Sequence, residues 1–197
     1  RYDRLRSWNH IHGLSNRSDT RIPYKYHHVQ GVGGSTLHFT GEAHRLHPKA
    51  FRMHSQYGVA ADWPLTYEDL ESDYVAAEQL VGVSGKDLFS QRPRSIDFPL
   101  PPHPVSYASR KIMDHSHNTG LQWDFNALAA LSAPYDDRPA CNYCNNCNRG
   151  CPRRDKGSVD VTFLHKARQT GYCRIQSNAT VFRITSGDDD RITGVEY

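Results

Sequence analysis

The sequence contains no long hydrophobic segment, and this absence excludes the simplest membrane architecture. No stretch approaches the roughly 20 consecutive apolar residues that a membrane-spanning helix requires. An apolar leader segment is missing at the amino terminus as well, so we expect a secretory signal to be absent or already removed. The first residue is Arg1 rather than methionine, which suggests processing, truncation or an incomplete sequence.

A strong charge imbalance is also missing. The 24 basic and 21 acidic side chains leave a net charge of +3 at pH 7, which is too small to indicate a nucleic-acid-binding protein. We find no internal repeat and no low-complexity tract. Mean hydropathy is low at −0.73, but aromatic residues make up 11% of the chain, a content that argues against disorder. The 197 residues allow one domain or two small ones with a real core.

The residue pattern predicts a mixed α and β fold. The best defined helix covers residues 66–81, because Thr66 is a good N-cap with Asp69 three residues later, and Gly82 follows its end. Apolar residues at helical spacing line one face of this helix: Leu70, Tyr74, Ala77 and Val81. Further helices are predicted over 105–120 and 158–169, and strands over 174–176, 180–184 and 192–197.

The cysteines form one compact motif. Four of the five lie within eleven residues, at Cys141, Cys144, Cys147 and Cys151, and Pro152 follows the last. The spacing C-x2-C-x2-C-x3-C-P is that of bacterial iron–sulfur loops. Cysteines three residues apart pair into disulfides only with strain, so the spacing favours a metal site.

Other chemistries stay open for this loop. Zinc is one of them, although zinc sites usually use two cysteine pairs with a longer spacer between them; inert thiols are another. An iron–sulfur cluster could be [4Fe–4S] with four ligands or [3Fe–4S] with three. Nearby cations would offset the negative charge of a cluster and raise its reduction potential: Arg138, Arg149, Arg153, Arg154 and Lys156.

A glycine-rich run covers residues 31–36, with the sequence GVGGST. It lacks the third glycine of G-x-G-x-x-G and therefore fails as the dinucleotide-binding fingerprint. Glycines of this kind let backbone amides approach an anion or a planar ring. Taken alone, the run is better explained as an ordinary structural turn.

Several segments together resemble one family. In chain order they are HHVQGVGGSTLHFTGEAHRL, YGVAADWPLTYEDLESDYVAAEQLVGVSG, PYDDRPACNYCNNCNRGCPRRDKG, and FLHKARQTGYCRIQSNATVFRI with ITGVEY. They resemble the FAD-dependent glucose–methanol–choline (GMC) oxidoreductases over about residues 23–197. Within that family they are similar to the catalytic subunits of glucose, gluconate, sorbitol and fructose dehydrogenases, which carry an iron–sulfur cluster beside the flavin.

The resemblance implies a fold and a set of site residues. Residues 1–197 would be part of a Rossmann-like FAD-binding α/β domain, incomplete at both ends, with the cluster loop at 138–157. The residues placed against the flavin are Gly33, Gly34, Ser35 and Thr36. His38 matches a histidine that some relatives bond covalently to flavin, and the backbone of Val181 matches an adenine contact. Cys141, Cys147 and Cys151 match the ligands of a [3Fe–4S] cluster, which is the cluster type favoured. Cys144 departs from the family pattern, because it is a fourth cysteine beside these three. A [4Fe–4S] cluster with four ligands therefore stays possible.

The resemblance also implies a reaction. A sugar or polyol hydroxyl would pass a hydride to flavin, and the electrons would pass through the cluster to a cytochrome c-type acceptor. A small partner subunit and the remainder of the same subunit are expected partners, and a periplasmic or membrane-associated location is expected through them.

The sequence assigns no catalytic base. We expect the family's catalytic histidine to lie beyond Tyr197 and its G-x-G-x-x-G to be absent from this chain. His103, His115 and His117 are poor candidates. The alternative functions are a small iron–sulfur electron carrier and a zinc-stabilised binding module.

Overall fold

The computed structural model describes residues 29–116 and 118–197, and the backbone of two short strands before them. These strands, β1 (Gly13–Leu14) and β2 (Lys25–Tyr26), pair antiparallel. The chain divides into two compact units, Arg1–His165 and Lys166–Tyr197. Within the described residues, no helix combines the length and the apolar character needed to cross a bilayer.

Four α-helices are present in the described residues, and they confirm the mixed class. They are α1 (Met53–Tyr57), α2 (Tyr67–Val81), α3 (Tyr107–Ser116) and α4 (Phe163–Gln169). Helix α3 is shorter than predicted, and α4 begins five residues later than predicted, because residues 159–162 form turns. Short 3-10 turns cover Gly34–Leu37, Pro48–Arg52 and Cys147–Arg149. His117 lies outside the described residues.

The ends of helix α2 are set by local hydrogen bonds, as the sequence predicts. The Thr66 hydroxyl accepts from the Asp69 amide at 3.3 Å, and the Asp69 carboxylate accepts from the Thr66 amide at 2.8 Å. This reciprocal capping box satisfies two amides that the first turn leaves free. At the other end Gly82 takes a left-handed conformation, with φ of 78°, and ends the helix.

The apolar stripe of α2 is partly covered. Ala77 is exposed and the other three members are half-buried, while the buried residues of the helix are Tyr67 and Glu78. Glu78 is buried because it pairs with two arginines from outside the helix, Arg45 and Arg94. The apolar stripe could not reveal these distant partners, which make burial of a carboxylate tolerable.

An extended segment at residues 127–131 forms the centre of the first unit. Four of its five residues are buried: Ala127, Ala129, Ala130 and Leu131. Isolated bridges join it to three other parts of the chain, through Glu42, Ser84 and Lys156. The segment therefore connects the glycine-rich region, the end of α2 and the end of the cysteine loop.

The second unit contains an antiparallel hairpin of β3 (Arg183–Ser186) and β4 (Ile192–Glu196). The predicted hairpin is confirmed, with its first strand starting three residues later. The strand predicted over 174–176 does not form. Large apolar side chains on this hairpin and beside it are strongly exposed: Phe182, Ile184 and Ile192.

Candidate functional site

Both ends of the cysteine loop are fixed to one buried residue. The Cys141 amide donates to the Leu131 carbonyl at 2.8 Å, and the Leu131 amide donates to the Asp155 carbonyl at 3.1 Å. Leu131 itself has no exposed surface. The loop therefore leaves the central segment and returns to the same point.

The four loop cysteines line one cavity of about 390 Å³. Tight bends shape the loop, with left-handed backbone at Tyr143 and Asn145, where φ is 56°. Among residues 29–116 and 118–197, no three His, Cys, Asp or Glu side chains converge closely enough to hold a single metal ion. A tetrahedral zinc–thiolate site needs sulfur atoms about 3.8 Å apart, from Zn–S bonds of about 2.3 Å.

The four thiols differ in exposure. Cys141, Cys147 and Cys151 are half-buried, whereas Cys144 is exposed. The residue that departs from the family pattern is thus the one exposed cysteine of the four in the loop. Cys173 lies in the second unit, outside the loop.

Burial and neighbouring charge hold two of the thiols in the neutral form. Burial raises the pKa of Cys141 above its usual value. Burial also raises the pKa of Cys151, and the Asp155 carboxylate adds to this by accepting a hydrogen bond from the thiol at 3.1 Å. Metal ligation requires thiolates, so binding at this loop must release protons.

Lys156 links the cysteine loop to the glycine-rich region. It has no exposed surface, and its ammonium donates to the Cys147 carbonyl at 2.7 Å. The same ammonium donates to the carbonyls of Leu37 at 2.9 Å and Phe39 at 2.8 Å. Burial lowers the pKa of Lys156 below its usual value.

The predicted glycine-rich segment forms a compact turn beside the cysteine loop. Gly33 has φ of 104° and Gly34 has φ of 54°, a region that favours glycine. A Cβ at Gly33 would lie 2.9 Å from the Leu37 side chain, whereas a Cβ at Gly34 would meet nothing within 4 Å. The turn Gly34–Leu37 contacts the turn Cys147–Arg149.

Side chains of this turn hold its own backbone. The Thr36 hydroxyl donates to the Gly33 carbonyl at 2.5 Å and accepts from the Val159 amide at 3.0 Å. Exposed Ser35 accepts from the Val29 amide at 3.4 Å. Thr36 thus fixes the turn to the segment that follows the cysteine loop.

The remaining two predicted flavin contacts fall in different units. His38 ends the turn, is half-buried, and donates its amide to the Ser35 carbonyl at 3.2 Å. Val181 belongs to the second unit and is half-exposed. It precedes β3 rather than lying on it, because the strand pairing begins at Arg183; the Phe182 amide before it donates to the Glu196 carbonyl at 3.0 Å.

The predicted cations around the loop take different positions. Arg138 is buried and donates to the Val81 carbonyl at 2.5 Å, while its Nε and Nη1 find no partner among the described residues. Arg153 is exposed, and its Nε lies 3.7 Å from the Asp155 carboxylate. Arg149 and Arg154 are exposed.

Sequence reasoning missed two residues that line the cavity. Asp155 is buried next to Cys151, and its position four residues after the last cysteine could have indicated this role. The sequence favours no catalytic role for His103. It lines the cavity, where its Nε2 lies 2.9 Å from the Ala130 carbonyl and its Nδ1 lies 3.2 Å from the Tyr143 hydroxyl.

Comparison with known proteins identifies similar sequences. Residues 110–197 match a family model described as GMC oxidoreductase. The chain is 32% identical over 182 residues to the fructose dehydrogenase large subunit of Gluconobacter japonicus, covering 90% of this chain and 33% of that protein. It is 27% identical over 217 aligned positions to the gluconate 2-dehydrogenase flavoprotein of Pantoea cypripedii, covering 91% and 35%.

A third relative matches over a shorter region. It is the 2-methyl-1,2-propanediol dehydrogenase of Mycolicibacterium austroafricanum, 37% identical over 59 residues, covering 29% of this chain and 11% of that protein. The chain spans about a third of the length of the first two relatives.

Proposed function

We propose that this chain, which belongs to the GMC oxidoreductase family, is part of an FAD-dependent dehydrogenase that oxidises a sugar or polyol hydroxyl group. The family implies FAD. Three relatives are named as dehydrogenases, and two of those names contain a sugar or a sugar acid. These names support the substrate class of the proposal.

The observation that carries the redox proposal is the cavity lined by four thiols beside the glycine-rich turn. When bound, FAD supplies a hydride acceptor and an iron–sulfur cluster supplies a one-electron carrier. The loop thiols would hold the cluster, and the open side of Gly34 leaves space for a flat ring. Contact between the two turns supports transfer from one group to the other.

Exposure of the thiols supports a three-ligand cluster. Cys141, Cys147 and Cys151 are half-buried and would ligate a [3Fe–4S] cluster, while exposed Cys144 would remain free. In a [4Fe–4S] cluster, Cys144, which also lines the cavity, would be the fourth ligand and its thiol would have to become less exposed. We favour the first arrangement because it uses only the three thiols that are already half-buried.

The exposed apolar surface of the hairpin supports a further partner. Phe182, Ile184 and Ile192 are each more than half-exposed, and large exposed apolar patches usually mark contact surfaces. We propose that the remainder of the same subunit covers them. A small partner subunit and a cytochrome c-type acceptor complete the proposed assembly, with a periplasmic or membrane-associated location through these partners.

The test is chemical analysis of the purified full-length protein that carries this sequence. We expect bound flavin, iron and acid-labile sulfide. Changing Cys141, Cys147 or Cys151 to serine should remove the cluster, while Cys173→Ser serves as the matched control and should retain it. Substrate should still reduce the flavin in the cluster-free variants, because hydride transfer does not require iron.

The choice of electron acceptor separates the proposed role of the cluster from that of the flavin. Without the cluster, reduction of a cytochrome-type acceptor should collapse, while a small dye that reaches the flavin directly should still be reduced. Stoichiometric zinc without iron or sulfide, after anaerobic purification, would instead support the zinc-stabilised module. Iron and sulfide without flavin would support a small electron carrier.

A further inference from the structure

A buried lysine joins the glycine-rich turn to the cysteine loop. The Lys156 ammonium donates to carbonyls of Leu37, Phe39 and Cys147 at 2.9, 2.8 and 2.7 Å. A lysine ammonium has three N–H donors, so each of them is used. Leu37 precedes Lys156 by 119 residues, which makes this contact a long-range link.

The acceptors of Lys156 are placed around a predicted flavin residue. Leu37 and Phe39 are the neighbours of His38 on either side, so the two hydrogen bonds hold the backbone on both sides of that histidine. The third bond holds Cys147, one of the predicted cluster ligands. One side chain thus fixes the spacing between the two proposed cofactor segments.

The Lys156 ammonium makes no direct ion pair with a carboxylate of the described residues. Within the described part of the chain, no carboxylate oxygen lies within 4.0 Å of its ammonium, and the Phe39 ring lies 5.0 Å away. The acidic groups that interact with it electrostatically are the thiols of Cys147 and Cys151 and the carboxylates of Asp160 and Asp155. Three carbonyl acceptors and these more distant groups therefore compensate the buried ammonium, and its charge acts at short range on the cysteine loop.

We propose that Lys156 is a positioning residue with two effects. Its three hydrogen bonds hold the glycine-rich turn against the cysteine loop, and its fixed charge favours the reduced, more negative form of a bound cluster. The second effect rests on the proposed function, because it requires a cluster. The first is a property of this chain's own residues.

The experiment compares Lys156→Met, Lys156→Gln and Lys156→Arg in the full-length protein. Met removes the charge and all three donors, Gln removes the charge but keeps two donors, and Arg keeps the charge. Lys111→Met removes an exposed charge elsewhere and is the matched control.

The first readout needs no cofactor. In protein stripped of metal, Lys156→Met and Lys156→Gln both remove the positive charge that favours the Cys147 thiolate, so the difference between them reports the hydrogen bonds alone. Alkylation of Cys147 should be roughly tenfold faster in Lys156→Met than in Lys156→Gln, because Met leaves the loop without a donor, and alkylation of Cys173 should not change. Equal alkylation of Cys147 in the two folded variants would overturn the positioning role.

The second readout is the reduction potential of the cluster. The potential should fall in Lys156→Gln and Lys156→Met, and Lys156→Arg should bring it back towards the wild-type value. An unchanged potential in a cluster-containing Lys156→Gln variant would overturn the charge role. A wild-type protein without iron or sulfide would overturn the proposed function instead, and the alkylation result would still decide the positioning role.

Discussion

The thiol of Cys151 donates a hydrogen bond to the carboxylate of Asp155, with 3.1 Å between Sγ and Oδ1. Asp155 is buried, and its backbone carbonyl is held by the Leu131 amide. The carboxylate therefore has a fixed position beside a predicted cluster ligand. It stabilises the neutral thiol and opposes formation of the thiolate.

This contact predicts the effect of Asp155→Asn on thiol chemistry. Since Asp155 raises the pKa of Cys151, the amide should lower that pKa and increase the thiolate population at neutral pH. In metal-free protein, the pH profile of Cys151 alkylation should move to lower pH. Asp137→Asn, at an exposed position with a left-handed backbone that asparagine tolerates, is the control. An unmoved profile would contradict the role of Asp155.

Cys144 distinguishes the two cluster types. Because this thiol is exposed, we expect Cys144→Ser to leave iron and sulfide content and the paramagnetic signal of a [3Fe–4S] cluster nearly intact. Cys147→Ser is the comparison variant and should lose the cluster. Loss or conversion of the cluster in Cys144→Ser would show that Cys144 is a ligand and would favour [4Fe–4S].

His38 is the residue for a test of flavin attachment. Its place at the end of the glycine-rich turn predicts that His38→Ala lowers the flavin-to-protein ratio. Acid precipitation of the unmodified protein shows whether the bond is covalent, because a covalent flavin stays in the yellow precipitate. If it does, His38→Ala should release the flavin. His44→Ala, at an exposed histidine of the same region, is the control and should retain it.

The contacts of Glu71 predict how the free energy of unfolding of the first unit changes at acid pH. It accepts from the amide and hydroxyl of Ser95 and from Arg45, which lowers its pKa to about 2. A carboxylate with a lowered folded-state pKa stabilises the fold above its ordinary pKa, and this stabilisation is lost as the pH falls to about 2. The free energy of unfolding should therefore decrease over this acid range.

Glu71→Gln should flatten that pH dependence. At neutral pH it should lower the free energy of unfolding by about 1–3 kcal/mol, since hydrogen bonds to a charged group are lost. Denaturant titration at neutral and acid pH measures both effects. Asp73→Asn, on an exposed position of the same helix, should change neither. An equal acid loss in wild type and Glu71→Gln would assign the pH dependence to other groups.

Features that depend on residues close together in the chain could be predicted from the sequence. The ends of α2 are set by Thr66, Asp69 and Gly82, whose contacts span only a few residues. The short cysteine spacing likewise predicts one loop that carries all four thiols, and these four cysteines line one cavity. The family resemblance came from segments of this kind.

Burial and pairing were beyond the sequence pattern because they depend on residues far apart in the chain. Glu78 lies in the interior because Arg45, 33 residues earlier, reaches it. Lys156 loses its exposure because carbonyls of the glycine-rich turn accept from it. A charged side chain is buried only where folding brings compensating groups to it. The pattern of residues along one helix or loop does not show which distant residues will supply those groups.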